Sequence, residues 1–128
     1  MRILLDTHTL LWWMTDDDHL SETANRLIAQ QENRPFVSAV SAWEIATKYR
    51  LGRLPAAANL VQNFVSELSS KRIDILPVTA EHGLRAGLLP GTHKDPFDRV
   101  LIAQSLMEEF PIVSNDRAFD EYGVRRLW

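Results

Sequence analysis

Four acidic residues in separate stretches of the chain, Asp6, Glu44, Asp98 and Asp116, have the type and spacing to assemble a carboxylate site. Asp6 directly follows the apolar run Ile3-Leu4-Leu5. Glu44 lies inside a helical pattern, Asp98 sits in the first turn of another, and Asp116 follows shortly after Ile112-Val113. Carboxylates gathered in one place repel one another unless they are protonated or neutralised by a cation. Oxygen ligands completed by water suit Mg²⁺ or Mn²⁺. A divalent metal held this way makes hydroxide from water and stabilises charge on a phosphate, which is the chemistry of a metal-dependent nuclease.

Each acid also has a local use. Asp6 can close an Asx-turn or cap the helix that follows. Glu44 can be the reciprocal partner of Ser41 in a Ser-x-x-Glu capping box, or pair with Lys48 one turn on. Asp95 is a ready N-cap before Pro96, and Asp98 at the third helical position suits the helix dipole. Asp116 can cap the turn holding Arg117 to Phe119. Placement favours the shared site, because four independent caps need not lie on one rim. Asp95 is the exception, since capping accounts for it without a metal.

The elements that would bring these residues together can be read along the chain. Arg2 to Leu5 reads as a buried strand and Thr9 to Met14 as a short apolar helix. Ser21 caps a helix running to about Gln31. A second strand covers Phe36 to Val40, and Ser41 caps a helix ending near Gly52. Pro55 to Ser69 reads as one amphipathic helix with Leu60, Val61, Phe64, Val65 and Leu68 as its apolar stripe. Ile73 to Val78 is a third strand, and Thr79 caps a helix through about Gly87. Asp95-Pro96 opens a helix through Glu109, Ile112-Val113 is a fourth strand, and Val124 to Trp128 a fifth. Strands alternating with helices predict an α/β fold, a three-layer α/β/α sandwich around a parallel sheet of four to five strands. In such a sheet ligands bind beyond the carboxyl ends of the strands, the rim all four acids approach.

Composition narrows the classes of function. The 128 residues are one domain's worth of chain, with 45% hydrophobic and 24% charged residues. Cysteine is absent, which excludes disulfide frameworks, zinc knuckles and thiol nucleophiles. No apolar run approaches the ~20 residues that span a bilayer, and the first residues carry no signal-peptide pattern. No membrane association and a cytoplasmic location are expected. A net charge of -3 leaves any nucleic-acid contact to a local patch.

The segments Ile3-Leu4-Leu5-Asp6-Thr7-His8, Ser41-Ala42-Trp43-Glu44-Ile45, His93-Lys94-Asp95-Pro96-Phe97-Asp98-Arg99, Leu101-Ile102-Ala103-Gln104 and Ser114-Asn115-Asp116 resemble a PIN domain. More narrowly, they resemble the VapC-type toxin of a type II toxin–antitoxin pair. The resemblance covers essentially the whole chain, residues 1–128 as a single PIN-like domain. It implies Mg²⁺- or Mn²⁺-dependent cleavage of RNA, whether tRNA, rRNA or mRNA, with inhibition by a cognate antitoxin and assembly as a homodimer. Carried over residue by residue, Asp6, Glu44, Asp98 and Asp116 form the acidic pocket. Asp6 and Asp98 are then the direct ligands, and Glu44 and Asp116 act through water. Thr7, Ser114 and Asn115 support them, the Ser114 hydroxyl orienting Asp6 or a water or closing a simple turn.

Arg99 is expected to pair with an acid or to meet phosphate, and Lys48 and Arg50 either to form a solvated basic face or to contact RNA backbone. Leu11, Trp12, Trp13 and Met14 are apolar enough to be core or a protein interface, and the resemblance favours the interface. His8, His19, His82 and His93 form no ligand pattern and read as exposed or capping residues, with His8 and His93 flanking the pocket. Two other functions are weighed. A phospho-acceptor receiver domain wants adjacent acids after the first strand and a lysine after a late strand, whereas Thr7 and Arg117 stand there. A non-catalytic binding module would leave all the acids as caps.

Overall fold

The computed structural model describes residues 1–128. Five short strands, β1 (Arg2–Leu5), β2 (Arg34–Ser38), β3 (Asp74–Leu76), β4 (Ile112–Val113) and β5 (Arg126–Leu127), pair in parallel in the order β3-β2-β1-β4-β5. Seven helices cover both faces: α1 (Thr7–Met14), α2 (Glu22–Ala29), α3 (Ala39–Arg50), α4 (Ala58–Gln62), α5 (Phe64–Ser70), α6 (Ala80–Leu88) and α7 (Pro96–Glu108). Two 3₁₀ turns, Pro55–Ala57 and Arg117–Tyr122, complete the chain.

The central strand is apolar without alternation because it is buried on both faces. Ile3 and Leu5 join a core with Leu10, Ile28, Val37 and Val113. Leu4 points the other way, into a core with Leu101, Ile102, Phe110 and Ile112. Successive strand side chains point to opposite faces, so each strand feeds both layers. That double burial fixes the strand ends, and with them the residues just beyond.

Two stretches depart from the expected elements. The strand expected at Phe36 to Val40 ends at Ser38, and Ser38 rather than Ser41 caps the next helix, its hydroxyl accepting from the Val40 amide at 3.1 Å. Ser41 lies inside the first turn, fully buried, 3.0 Å from the Thr7 hydroxyl. No capping box joins it to Glu44. The single helix expected over Pro55 to Ser69 is three pieces. Asn63 leaves helical geometry at φ −130° and ψ 34°, and its side-chain amide donates to the Asn59 carbonyl and side-chain oxygens at 3.3 and 2.9 Å. A short amide competes in this way with the backbone ladder. The break turns Val65 outward, 69% exposed rather than part of the stripe.

Truncating the central strand tests the two-faced core. Leu4→Ala is expected to cost about 2–5 kcal/mol, read as a lower urea midpoint with little change in slope; a loss below about 1 kcal/mol would contradict it.

Candidate active site

Beyond the carboxyl ends of β1 and β4 opens a cavity of about 480 Å³. Its wall carries Asp6, Glu44, Asp95, Asp98 and Asp116, with Lys48 the one ammonium among them; Thr7, His8, Trp12 and Asn115 complete it. A larger hollow of about 550 Å³ lies at the opposite ends of the strands, but its charged residues, among them Arg2, Glu108, Glu109 and Arg125, are of mixed sign and gather no like charge.

Asp6 is buried at the end of β1 and caps α1, its Oδ1 accepting from the Thr9 amide at 2.8 Å. Burial pushes its carboxyl up from the usual range, against hydrogen bonds from Ser114 and Thr9 that pull it down. Ser114 therefore serves both expected roles, because its hydroxyl also accepts from the Asp116 amide at 3.0 Å.

Glu44 is 3% exposed on α3 with both oxygens engaged. The Thr7 hydroxyl donates to Oε1 at 2.6 Å, and the Lys48 ammonium to Oε2 at 2.5 Å. Lys48 is thus committed in the first place to an acid on its own helix and lines the cavity. Arg50 is exposed and outside the cavity wall.

Asp95 caps α7, accepting from the amides of Phe97 and Asp98 at 2.9 and 3.3 Å, and also lines the cavity. Asp98 follows in the first turn. Its carboxyl is pushed up to about 7, first by burial and then by the charges of Asp95, Glu44, Asp6 and Asp116. Asp116 is exposed and caps the 3₁₀ turn through the Ala118 amide at 2.9 Å.

Several expectations need correction. Arg99 pairs with no acid, because its guanidinium donates to the carbonyls of Ala86, Leu89 and His93 at 2.9, 2.5 and 3.0 Å. Leu11, Trp13 and Met14 are partly buried against the core that holds Leu10, and Leu11 and Met14 also line a surface hollow. Trp12 lies against His8, His19 and Trp128 instead. Two histidines are buried more than their sequence surroundings suggest. His82 is 2% exposed and closes a capping box with Thr79. The half-buried His93 places a ring nitrogen with carboxylate oxygens of Asp98 and Asp116 all within 4.8 Å of one another, close enough to surround one metal ion. Sequence spacing gave no sign of that grouping beyond placing His93 at the pocket's flank.

Oxygen donors predominate, like charge is concentrated, and one carboxyl is pushed up to about 7 by burial and by its neighbours. This set fits a hard divalent cation. A PIN domain family model matches residues 3–124. The chain belongs to the PIN domain family. It is 26% identical over 116 residues to Ribonuclease VapC22 of Mycobacterium tuberculosis, a match covering 90% of this chain and 87% of that protein. Among solved structures, Mycobacterium tuberculosis VapC20, described as a Sarcin-Ricin loop cleaving toxin, superposes with a TM-score of 0.71 at 17% identity over 95% of both chains. DNA-bound VapBC of Salmonella typhimurium gives 0.69 at 18% identity over 99% of this chain and 97% of that one. The PIN fold is thus shared at low identity, with the five-stranded parallel sheet and its two helical layers intact.

The Asp98 shift gives a pH dependence with a definite sign. The folded chain keeps the proton to about pH 7 while the unfolded chain releases it near 3.8, so the contribution of Asp98 to metal-free stability is fully present below 3.8 and is lost as pH rises through 7. Between pH 5 and 8 the metal-free protein is expected to lose roughly 5 °C of melting temperature more than D98N does, and saturating Mn²⁺ to restore it at pH 8. Parallel melting curves for the two proteins across this range would remove the electrostatic account of the site.

Proposed function

We propose that the protein is a metal-dependent endoribonuclease, the toxin of a type II toxin–antitoxin pair, using Mg²⁺ or Mn²⁺. The observation that carries this is the cavity wall on which five carboxylates face one ammonium in a PIN fold. Asp6 and Asp98 are the direct ligands. Glu44, locked between Thr7 and Lys48, and Asp116 act through water. Bound there, the cation would lower the pKa of a water and offset charge on the scissile phosphate. The chain's own residues do the rest. Asp116, the exposed member, is placed to take the proton from attacking water on a carboxylate oxygen. The Ser114 hydroxyl fixes Asp6, and Asn115 on the open rim meets the RNA strand.

The partner chemistry follows from the surface. Beside the acidic cavity runs a second hollow of about 350 Å³, lined by Leu11, Met14, Leu54 and Leu60 among others, and joined to the cavity through His8 and Trp12. An antitoxin segment with apolar side chains seats there and closes the catalytic mouth. For the homodimer the better surface is α6, where Leu84 and Leu88, one turn apart, are 68% and 82% exposed. Burying such a pair against a second copy removes apolar area from water. The cytoplasm, where RNA is available, is the location that matches this activity; no helix is long and apolar enough to cross a membrane.

Incubation with tRNA and rRNA, with and without EDTA, tests the activity. Cleavage is expected only with metal, and D6N and D98N are expected to lose it by about 10³-fold or more while keeping the wild-type circular dichroism spectrum. Cleavage that survives EDTA, or survives in both variants, rejects the reading. Leu88→Asp is expected to convert a dimer to a monomer in sedimentation without loss of fold, and an unchanged mass would place the dimer surface elsewhere.

A further inference from the structure

Residues 89–95, joining α6 to α7, are held at more points than a connector requires. The three bonds from Arg99 reach Ala86, Leu89 and His93 from the α7 side. From the opposite side the His93 amide donates to the Tyr122 hydroxyl at 3.1 Å. Gly91, at φ 89°, allows the approach, because a Cβ there would stand 2.8 Å from both the Tyr122 hydroxyl and Glu121 Oε1. Both backbone groups of His93 are therefore fixed, and its ring is set near Phe119 and Tyr122, with centroids 6.5 and 6.3 Å away.

The imidazole is oriented as well. The Asp95 amide donates to Nδ1 at 3.4 Å, which puts the lone pair on Nδ1 and the ring proton on Nε2. Nε2 is buried and lacks a hydrogen-bond partner. It nevertheless stands 3.2 Å from Asp98 Oδ2, near enough for a charge contact but off the line of a hydrogen bond. Asp98 lines the acidic cavity and His93 does not, so the ring stands behind the carboxylate. A buried donor without an acceptor costs about 1–3 kcal/mol, and a small turn of the Asp98 carboxylate supplies the acceptor.

We propose that His93 is a positioning residue for Asp98. With Asp98 ionised, the Nε2 proton is donated to Oδ2, and Oδ1 is left facing the cavity as the ligand oxygen. Partners of this kind orient metal ligands and typically change metal affinity by 10–100-fold. Direct ligation by Nε2 is the rival, and it requires the other tautomer, which the Asp95 amide opposes. The inference deepens the metal-site reading above and rests on it.

The test is Mn²⁺ binding to the full-length chain at one pH, read by loss of the free-ion electron paramagnetic resonance signal, with the metal-free melting temperature measured for each variant. H93A is expected to bind Mn²⁺ about 10–100-fold more weakly than wild type, while H93Q, whose amide nitrogen reaches the place of Nε2, stays within about threefold. H93N, which reproduces only the Nδ1 side, is expected to behave as H93A. Pulsed spectra of the wild-type complex should show no directly bonded imidazole nitrogen. Wild-type affinity in H93A, an H93Q as weak as H93A, or a bonded-nitrogen signal lost in H93A would each overturn the proposal. A wild-type chain that binds no Mn²⁺ at all, as D98N is expected to do, would overturn the metal site itself, a distinct result.

Discussion

The governing constraint is like charge held at short range by a framework that cannot relax. Asp6 and Asp116 stand just past the ends of β1 and β4, while Asp95 and Asp98 open α7. Because β1 is buried on both faces, separating these carboxylates would mean moving the core. The chain answers the repulsion in three ways. Lys48 neutralises Glu44, hydroxyls and amides solvate Asp6 and Asp95, and Asp98 retains its proton to about 7. Each is a partial substitute for a divalent cation, so one ion can replace several compromises at once.

Topology explains why these residues meet. The chain moves outward from β1 through β2 to β3, then crosses back to place β4 on the other side of β1. Helices leaving β1 and β4 diverge at that reversal, and a crevice opens between them. Asp6 and Asp116 flank it. Glu44 arrives from α3 and Asp98 from α7, helices that touch each other although Ile45 of α3 is buried in the core of Ile3 and Leu5 and Leu101 of α7 in the core of Leu4. Four distant stretches share one rim because the strand order reverses there.

Much of this was legible in the sequence, and the parts that were not share a cause. Strand ends and caps are local signals, so Asp6, Asp95, Asp98 and Asp116 could be placed at element boundaries without tertiary information. Ser38 and Ser41 are equally good local caps. What decides between them is the Thr7 hydroxyl, 34 residues away, which takes Ser41 into the interior and turns Glu44 inward. Asn63 breaks a helix whose apolar period runs through it unchanged. Arg99 meets three carbonyls, Ala86 in the last turn of α6 and Leu89 and His93 in the loop after it, a contact no charge pattern announces. Leu84 and Leu88 match the helical period of a buried face and yet are exposed. In every case the missing fact is which side of an element faces protein.

Capping a helix and lining the acidic cavity are one arrangement rather than competing uses of the same acids. A carboxylate has two oxygens. Asp6, Asp95 and Asp116 each commit Oδ1 to backbone amides at the start of a helix or turn, and all three still line the cavity. The cap fixes the rotamer, so the remaining oxygen is aimed before any ligand arrives. It also turns the amides of three helical N-termini toward the same crevice, and their partial positive charge offsets some of the carboxylate repulsion. A local signal that favours an ordinary structural role therefore does not count against a catalytic one. At this rim the caps are the means by which the acids are oriented.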